Sequence, residues 1–311
     1  MTTPSRPLRI VVMGAGAVGS WLGALLCQAG HHVTLVGRPT HVEAVMRNGL
    51  HISGETNLHV QPDATSRAVE APSADVLLLT VKAYDTAAAL HEALPLIGPQ
   101  TRVVSVQNGL GNIETLTEVL DDRQVFAATT THGVSYEGPG RVRHAGRGYF
   151  RLGSCGNQHA QADALGSMFA ASGLEVDVTP HIFGEVWAKV IVNVAINPLT
   201  AITGLRNGAL LSEPYLTEVM LRAAEEAVDV ARAEGAPLPE DDLIERARVT
   251  ARLTASNKSS MLQDITRGKP TEIDSICGQI IRRGRDLAID TPTNLTLWAA
   301  VKGIEASTYV E

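Results

Sequence analysis

The residues Leu8-Arg9-Ile10-Val11-Val12-Met13-Gly14-Ala15-Gly16-Ala17-Val18-Gly19 run a short apolar, β-branched-rich stretch straight into a G-x-G-x-x-G loop. Trp21, Leu22, Ala24, Leu25 and Leu26 then recur at helical spacing up to Gly30, and His32-Val33-Thr34-Leu35-Val36 reads as a second strand. Strand, glycine loop, helix and strand succeed one another within about thirty residues, the context that makes this motif informative. The first glycine allows a tight turn, the second lets the backbone approach a pyrophosphate, and the third lets helix and strand pack closely. The phosphates of a dinucleotide would sit at the positive end of the helix after the loop. Gly14, Ala15, Gly16, Ala17, Val18 and Gly19 are therefore expected to bind such a cofactor; a plain glycine turn is the competing reading.

The residues just past the second strand bear on which nucleotide is held. Gly37-Arg38 stands there with no acid. A carboxylate at this point holds ribose hydroxyls, whereas a guanidinium suits a 2′-phosphate, so NADP is expected over NAD.

Leu50 to Ile52 and Leu58 to Val60 read as short strands. Asp75 to Val81 is a continuous apolar run, as in a strand buried on both faces of a parallel sheet. It ends in Lys82, which either points into the ligand crevice at the strand's carboxyl end or is a solvated strand-end lysine. A helix near Thr86 to Leu94 and a strand from Arg102 to Val106 lead into Gln107-Asn108-Gly109-Leu110-Gly111-Asn112. Asn108 sits at a strand's carboxyl end beside glycines that permit close backbone approach, and Asn112 reads as the cap of a helix through Leu120. From Val125 to Leu152 the runs Phe126–Val134, Arg141–His144 and Tyr149–Leu152 are separated by turns such as Glu137-Gly138-Pro139-Gly140, which predicts antiparallel strands added to the sheet edge. A helix from about Gln161 to Ser172 and a strand at Leu174 to Val178 complete the domain. The boundary falls near Pro180. The expected fold is an α/β N-terminal Rossmann-like domain over residues 1–180 with added antiparallel strands, then an all-α C-terminal domain over 181–311.

The chain has 311 residues, 44% hydrophobic and 19% charged, a globular composition with length for two ordinary cores. A formal net charge of -7 argues against nucleic acid or an anionic membrane as the main partner. Cys27, Cys155 and Cys277 are few, odd in number and far apart, so they point to no disulfide framework or zinc pattern. A reducing compartment, the cytoplasm, fits. No stretch reads as approaching the length of an apolar membrane span, and the N-terminus lacks a signal peptide's apolar core.

The second half is helical, and one of its helices is unusual. From Gly184 to Thr203, residues Val186, Trp187, Val190, Ile191, Val194, Ile196 and Leu199 leave little water-facing side. Yet Glu185, Lys189, Asn193 and Asn197, spaced by four, form one polar stripe. Either Glu185 pairs with Lys189 and the asparagines serve loops, or the stripe lines a cleft and holds a polar substrate. Pro198 disfavours helical geometry at Asn197, so a bend is expected there. Further helices run from Tyr215 to Glu234, from Asp241 to Leu253 and after Pro292. Their length leaves room for a homodimer without requiring one. Thr271 is placed to cap a helix whose apolar face is Ile273, Ile276, Cys277, Ile280 and Ile281. Glu272 then falls in its first turn, where the helix dipole favours a carboxylate whatever its function.

With the glycine loop, Gln107-Asn108-Gly109, Lys189 with Asn193 and Asn197-Pro198, and Ser259-Ser260-Met261-Leu262-Gln263-Asp264 with Thr271-Glu272-Ile273-Asp274 after it in view, the chain resembles the ketopantoate reductase (2-dehydropantoate 2-reductase) family over nearly its whole length. The resemblance implies NADPH-dependent reduction of ketopantoate to pantoate, on the route to pantothenate and coenzyme A, in a cleft between a Rossmann and a helical domain. It assigns Lys189 as general acid and Glu272 as its active-site partner. Asn193, Asn197, Asn257 and Ser260 would hold the substrate's carboxylate and hydroxyl, and Asn108 and Lys82 would stand at cofactor-side and cleft positions. A different branched 2-keto acid, or a non-catalytic NADP-binding sensor, would use the same parts.

Overall fold

The computed structural model describes residues 6–308. The chain forms two compact units. One ends at Gln107 and resumes from Asn112 to Ile182; the other joins Asn108–Gly111 to the chain from Phe183 onward. The loop Asn108–Gly111 therefore belongs with the helical unit, although the flanking residues on both sides belong with the first.

The first unit is built on an eight-stranded sheet. Its strands are β1 (Arg9–Met13), β2 (His32–Val36), β5 (Asp63–Thr65), β6 (Ala74–Leu79), β7 (Ile97–Ser105), β8 (Val125–Thr130), β11 (Phe150–Ser154) and β12 (Val176–Val178), ordered β12-β11-β8-β7-β6-β1-β2-β5. From β5 to β8 neighbouring strands pair parallel; β11 pairs antiparallel with β8 and parallel with β12. Parallel strands need crossovers, supplied by α1 (Ala17–Gln28), α2 (Pro39–Asn48), α3 (Thr86–Ala93) and α4 (Asn112–Thr117), while α5 (His159–Ala171) joins β11 to β12. Ile10, Val11, Val12 and Val76 to Leu79 are fully buried, as β1 and β6 are covered on both faces.

The segment 125–152 departs from the expected edge of antiparallel strands. The run Phe126–Val134 is broken after Thr130: β8 continues the parallel sheet beside β7, and only β11 runs against it. Every residue of β8 is buried, so the strand sits inside the sheet, where an apolar run carries no mark of direction. The strands β9 (Gly133–Gly138) and β10 (Arg141–Gly146) join β3 (Leu50–Gly54) and β4 (Leu58–Val60) in a separate four-stranded sheet, ordered β4-β3-β10-β9. Trp21 of α1 ties the two layers, its ring centroid 4.7 Å from that of His132 and 4.9 Å from that of His144. Neither α2 nor β5 is evident from periodicity, since α2 buries only His41, Val42 and Val45.

The second unit contains α6 (Ile182–Thr203), α7 (Pro214–Ala233), α8 (Leu243–Leu253), α9 (Ser260–Thr266), α10 (Cys277–Asp286) and α11 (Pro292–Thr308). At 22 residues, α6 is long and apolar enough to cross a membrane by length and composition, which corrects the expectation that no stretch approaches that length. Its apolar side chains have another use here. Trp187, Val190, Ile191 and Val194 pack with Met220, Ala227 and Val230 of α7, Ile280 of α10 and Val301 of α11 in one core. The helix does not end at the proline either: Pro198 lies inside it, and Asn197 stays helical. Thr200 Oγ1 donates to the carbonyls of Ile196 (3.0 Å) and Asn197 (3.0 Å) around that point. Nor does Glu272 start a helix. Residues 271–276 form a turn, and α10 begins at Cys277.

Candidate active site

In the first unit the glycine loop divides its tasks by geometry. Gly14 has φ +107, and a Cβ there would lie 2.6 Å from the Val81 nitrogen, so both the turn and the close pass to the end of β6 require glycine. A Cβ on Gly19 would lie 2.3 Å from the Gly14 carbonyl and 2.4 Å from Thr80 Oγ1. A Cβ on Gly16 would meet nothing within 4 Å. Gly16 caps α1, whose first turn holds no acid. An open backbone at the positive end of a helix, with no carboxylate to repel it, suits a pyrophosphate, so these residues fit a dinucleotide.

The end of β2 lies against this loop. Val36 O accepts from the Gly14 (3.0 Å) and Ala15 (2.9 Å) amides, and a Cβ on Gly37 would lie 2.7 Å from that of Ala15. Arg38 is the next residue, exposed at the N-cap of α2, with no acid before His41. Lys82 is half-buried three residues past β6, before a short helical turn. Sequence reading missed the braces behind these positions. Thr80 Oγ1 donates to Gly14 O (2.8 Å), latching β6 to the glycine loop. Gln107 Nε2 donates to Val81 O (3.1 Å) and Thr86 Oγ1 (2.7 Å), and Thr86 Oγ1 in turn donates to Asn112 Oδ1 (2.9 Å). Thr80 and Gln107 are marked in the sequence only as polar side chains at the ends of apolar runs.

In the second unit the polar stripe of α6 divides into different environments. Glu185 pairs with Arg246 of α8 at 3.5 Å, so its charge is answered outside the stripe. Lys189, one turn on, is half-buried, and among the described residues it makes no hydrogen bond or ion pair. Burial pulls its ammonium down to about 8, against the opposing pull of the Glu272 carboxylate. A lysine so placed is still mostly protonated at neutral pH and gives up its proton more readily than a solvated one.

Glu272 is buried, and its Oε2 accepts from Asn108 Nδ2 at 3.2 Å. Asn108 thus stands at Lys189's carboxylate neighbour, in the same unit. Asn193 is half-buried and Asn197 buried, further along the stripe. Thr200, a turn beyond Asn197, hydrogen-bonds with Ser259, their hydroxyl oxygens 2.7 Å apart, and Ser259 caps α9 by accepting from Leu262 N–H at 3.1 Å. That contact sets the segment of Asn257 and Ser260, both exposed, beside the later turns of α6. The second unit therefore brings an ammonium, a carboxylate, four amides and a hydroxyl onto two neighbouring segments, one turn and one loop, a set able to hold a small carboxylate-bearing molecule and protonate an oxygen on it. Arg38, Lys82 and the glycine loop belong to the other unit.

Residues 10–157 match the family described as "Ketopantoate reductase PanE/ApbA", and residues 181–305 match its C-terminal family. A 2-dehydropantoate 2-reductase of Pyrococcus horikoshii is 39% identical over 96% of this chain and 98% of its own length. A crystal structure of a PanE/ApbA family ketopantoate reductase from Ralstonia eutropha superposes with a TM-score of 0.91 at 38% identity, covering 97% of this chain and 99% of that one. D-mandelate dehydrogenase, solved with NADH and anilino(oxo)acetate, superposes with a TM-score of 0.92 at 26% identity, over 97% and 99%.

Proposed function

Because the chain belongs to the ketopantoate reductase family and is an oxidoreductase of that family, we propose that it reduces ketopantoate to pantoate with NADPH, with Lys189 as the general acid. The observation that carries the reading is Lys189 itself: a half-buried ammonium with no partner of its own among the described residues, held near 8 and faced by Glu272. A nicotinamide cofactor, when bound, supplies the hydride. As the keto carbon is reduced, negative charge develops on its oxygen, and the Lys189 ammonium stabilises that charge and delivers a proton to it. Glu272 keeps Lys189 charged against the desolvation of its site. Asn193, Asn197, Asn257 and Ser260 orient the substrate's carboxylate and hydroxyl, and Asn108 orients Glu272 through their hydrogen bond. Product made this way feeds pantothenate and coenzyme A synthesis. Cys27, Cys155 and Cys277 are free thiols, as the cytoplasm would keep them.

The test is loss of NADPH absorbance with ketopantoate, run beside NADH. Fast turnover with NADPH supports the whole reading; NADPH binding without turnover on any 2-keto acid rejects it. The cofactor preference rests on Arg38, exposed beside the glycine loop with no acid near it in sequence. Arg38→Glu should weaken NADPH binding by about 10–100-fold, the worth of a charge-assisted contact, and leave NADH binding far less affected. Equal losses for both cofactors would remove the 2′-phosphate assignment.

A second reading has its own support, because D-mandelate dehydrogenase shares the fold and was solved with NADH. On that reading the same machinery serves another branched 2-keto acid. Relative kcat/KM for keto acids with and without the 4-hydroxyl separates the two. A site built to bond that hydroxyl rejects its absence by about 10⁴-fold, whereas a merely apolar pocket discriminates by about 10²-fold or less.

A further inference from the structure

We propose that α11 positions Glu272: Trp298, Lys302 and Glu305 clamp the turn on both sides of that residue and so set where its carboxylate stands. The inference rests on the reading of Lys189 and Glu272 as a working pair.

The three residues lie four and three positions apart and so share one face of the helix. Glu305 Oε1 accepts from the backbone N–H of Thr271, immediately before Glu272, at 2.7 Å. Trp298 Nε1 donates to Asp274 Oδ1 at 2.6 Å, two residues after it. Lys302 joins the two holds, its Nζ lying 3.0 Å from Asp274 Oδ2 and 3.0 Å from Glu305 Oε2. Glu305 is 8% exposed. A carboxylate taken that far from water needs compensating partners, and here they are Lys302 and the Thr271 amide. The turn is also closed on itself: Glu272 O accepts from the Ser275 and Ile276 amides at 3.1 Å each.

The turn is also held by the loop Asn108–Gly111. Leu110 N–H donates to Ser275 O at 2.8 Å, and Gly109 (φ +86) lies so close that a Cβ would be 2.6 Å from Ser275 Oγ. Asn108 reaches the carboxylate itself. The turn that carries Glu272 is thus gripped by polar contacts from two segments, and the α11 contacts bracket Glu272 in sequence. Charge–charge effects fall with distance, so a small displacement of this turn weakens what Glu272 does to Lys189. Among the charged groups around Lys189 are Glu272 from this turn and Glu185 one turn back on α6, the latter answered by Arg246.

The test reads Lys189 directly and needs neither cofactor nor substrate. Competitive acetylation of the intact protein between about pH 6 and 11, with Lys189 quantified by mass spectrometry, gives its titration midpoint. Wild type should titrate near 8, and Glu272→Gln should move the midpoint down. Glu305→Ala and Lys302→Met should each move it part of the way in the same direction. Glu305→Gln, which keeps an acceptor for the Thr271 amide, should return most of the Glu305→Ala loss. With NADPH and ketopantoate, Glu305→Ala should lower kcat by about tenfold while the NADPH Kd is unchanged. If Glu305→Ala does not fold, Lys302→Met decides, since that side chain is 39% exposed and its removal leaves no buried gap. A wild-type midpoint in the α11 variants, with Glu272→Gln shifted, overturns the clamp and leaves the pair intact. A wild-type midpoint in Glu272→Gln overturns the pair and the clamp together.

Discussion

Lys189→Ala should lower kcat for ketopantoate reduction by about 10²–10⁴-fold, or about 3–5 kcal/mol of barrier, while NADPH still binds. The size comes from the two tasks the proposed role gives the ammonium, stabilising charge on the reduced oxygen and delivering the proton. The fold should survive. Lys189 has no hydrogen bond or ion pair among the described residues to leave orphaned, and alanine is the best helix former. The wild-type pH profile carries a second signature. Only the protonated lysine is an acid, so kcat/KM should be level below the Lys189 midpoint of about 8 and fall with rising pH above it. In Lys189→Ala that alkaline limb should vanish from the residual rate. A variant that turned over like wild type would falsify the assignment.

The second large effect is expected at Gly16. Gly16→Val should fold normally yet bind NADPH at least about 100-fold more weakly, a loss of about 3 kcal/mol. Its φ of -81 and ψ of -159 are extended backbone outside the left-handed region that favours glycine, and a Cβ meets nothing within 4 Å. The branched side chain instead fills the space through which the backbone must approach the pyrophosphate. The neighbouring glycines cannot make this separation. Valine at Gly14 or Gly19 would place Cβ 2.6 Å or 2.3 Å from backbone atoms, an overlap that destabilises the unit before any ligand is added. Thermal unfolding beside fluorescence titration with NADPH reads both quantities. Wild-type affinity in a well-folded Gly16→Val would mean that the loop does not cradle the phosphates.

Much of this protein is written locally. Ile10–Met13, the three glycines and Val33–Val36 specify strand, turn, helix and strand because side-chain period and backbone sterics act within a few residues. The four-residue stripe on α6 is equally local, and Lys189 stands out because an ammonium on a mostly apolar helix is costly without a use. Other features needed the assembled chain. β8 and β11 read alike as apolar runs, and their opposite directions are decided by which neighbours pair with them. Glu185 is taken by Arg246, leaving Lys189 to Glu272. Asn108 meets Glu272 across 164 positions of sequence, and the α11 grip on the Glu272 turn joins segments with no common period. Most of the secondary structure and the residue types at the site were thus legible from the chain alone, because torsions and periodicity are local. Glu272 came from the sequence only through the family resemblance; the contacts that hold it, and how far the proton affinity of Lys189 falls, emerged only on folding, because burial and charge act through space and take no account of separation along the chain.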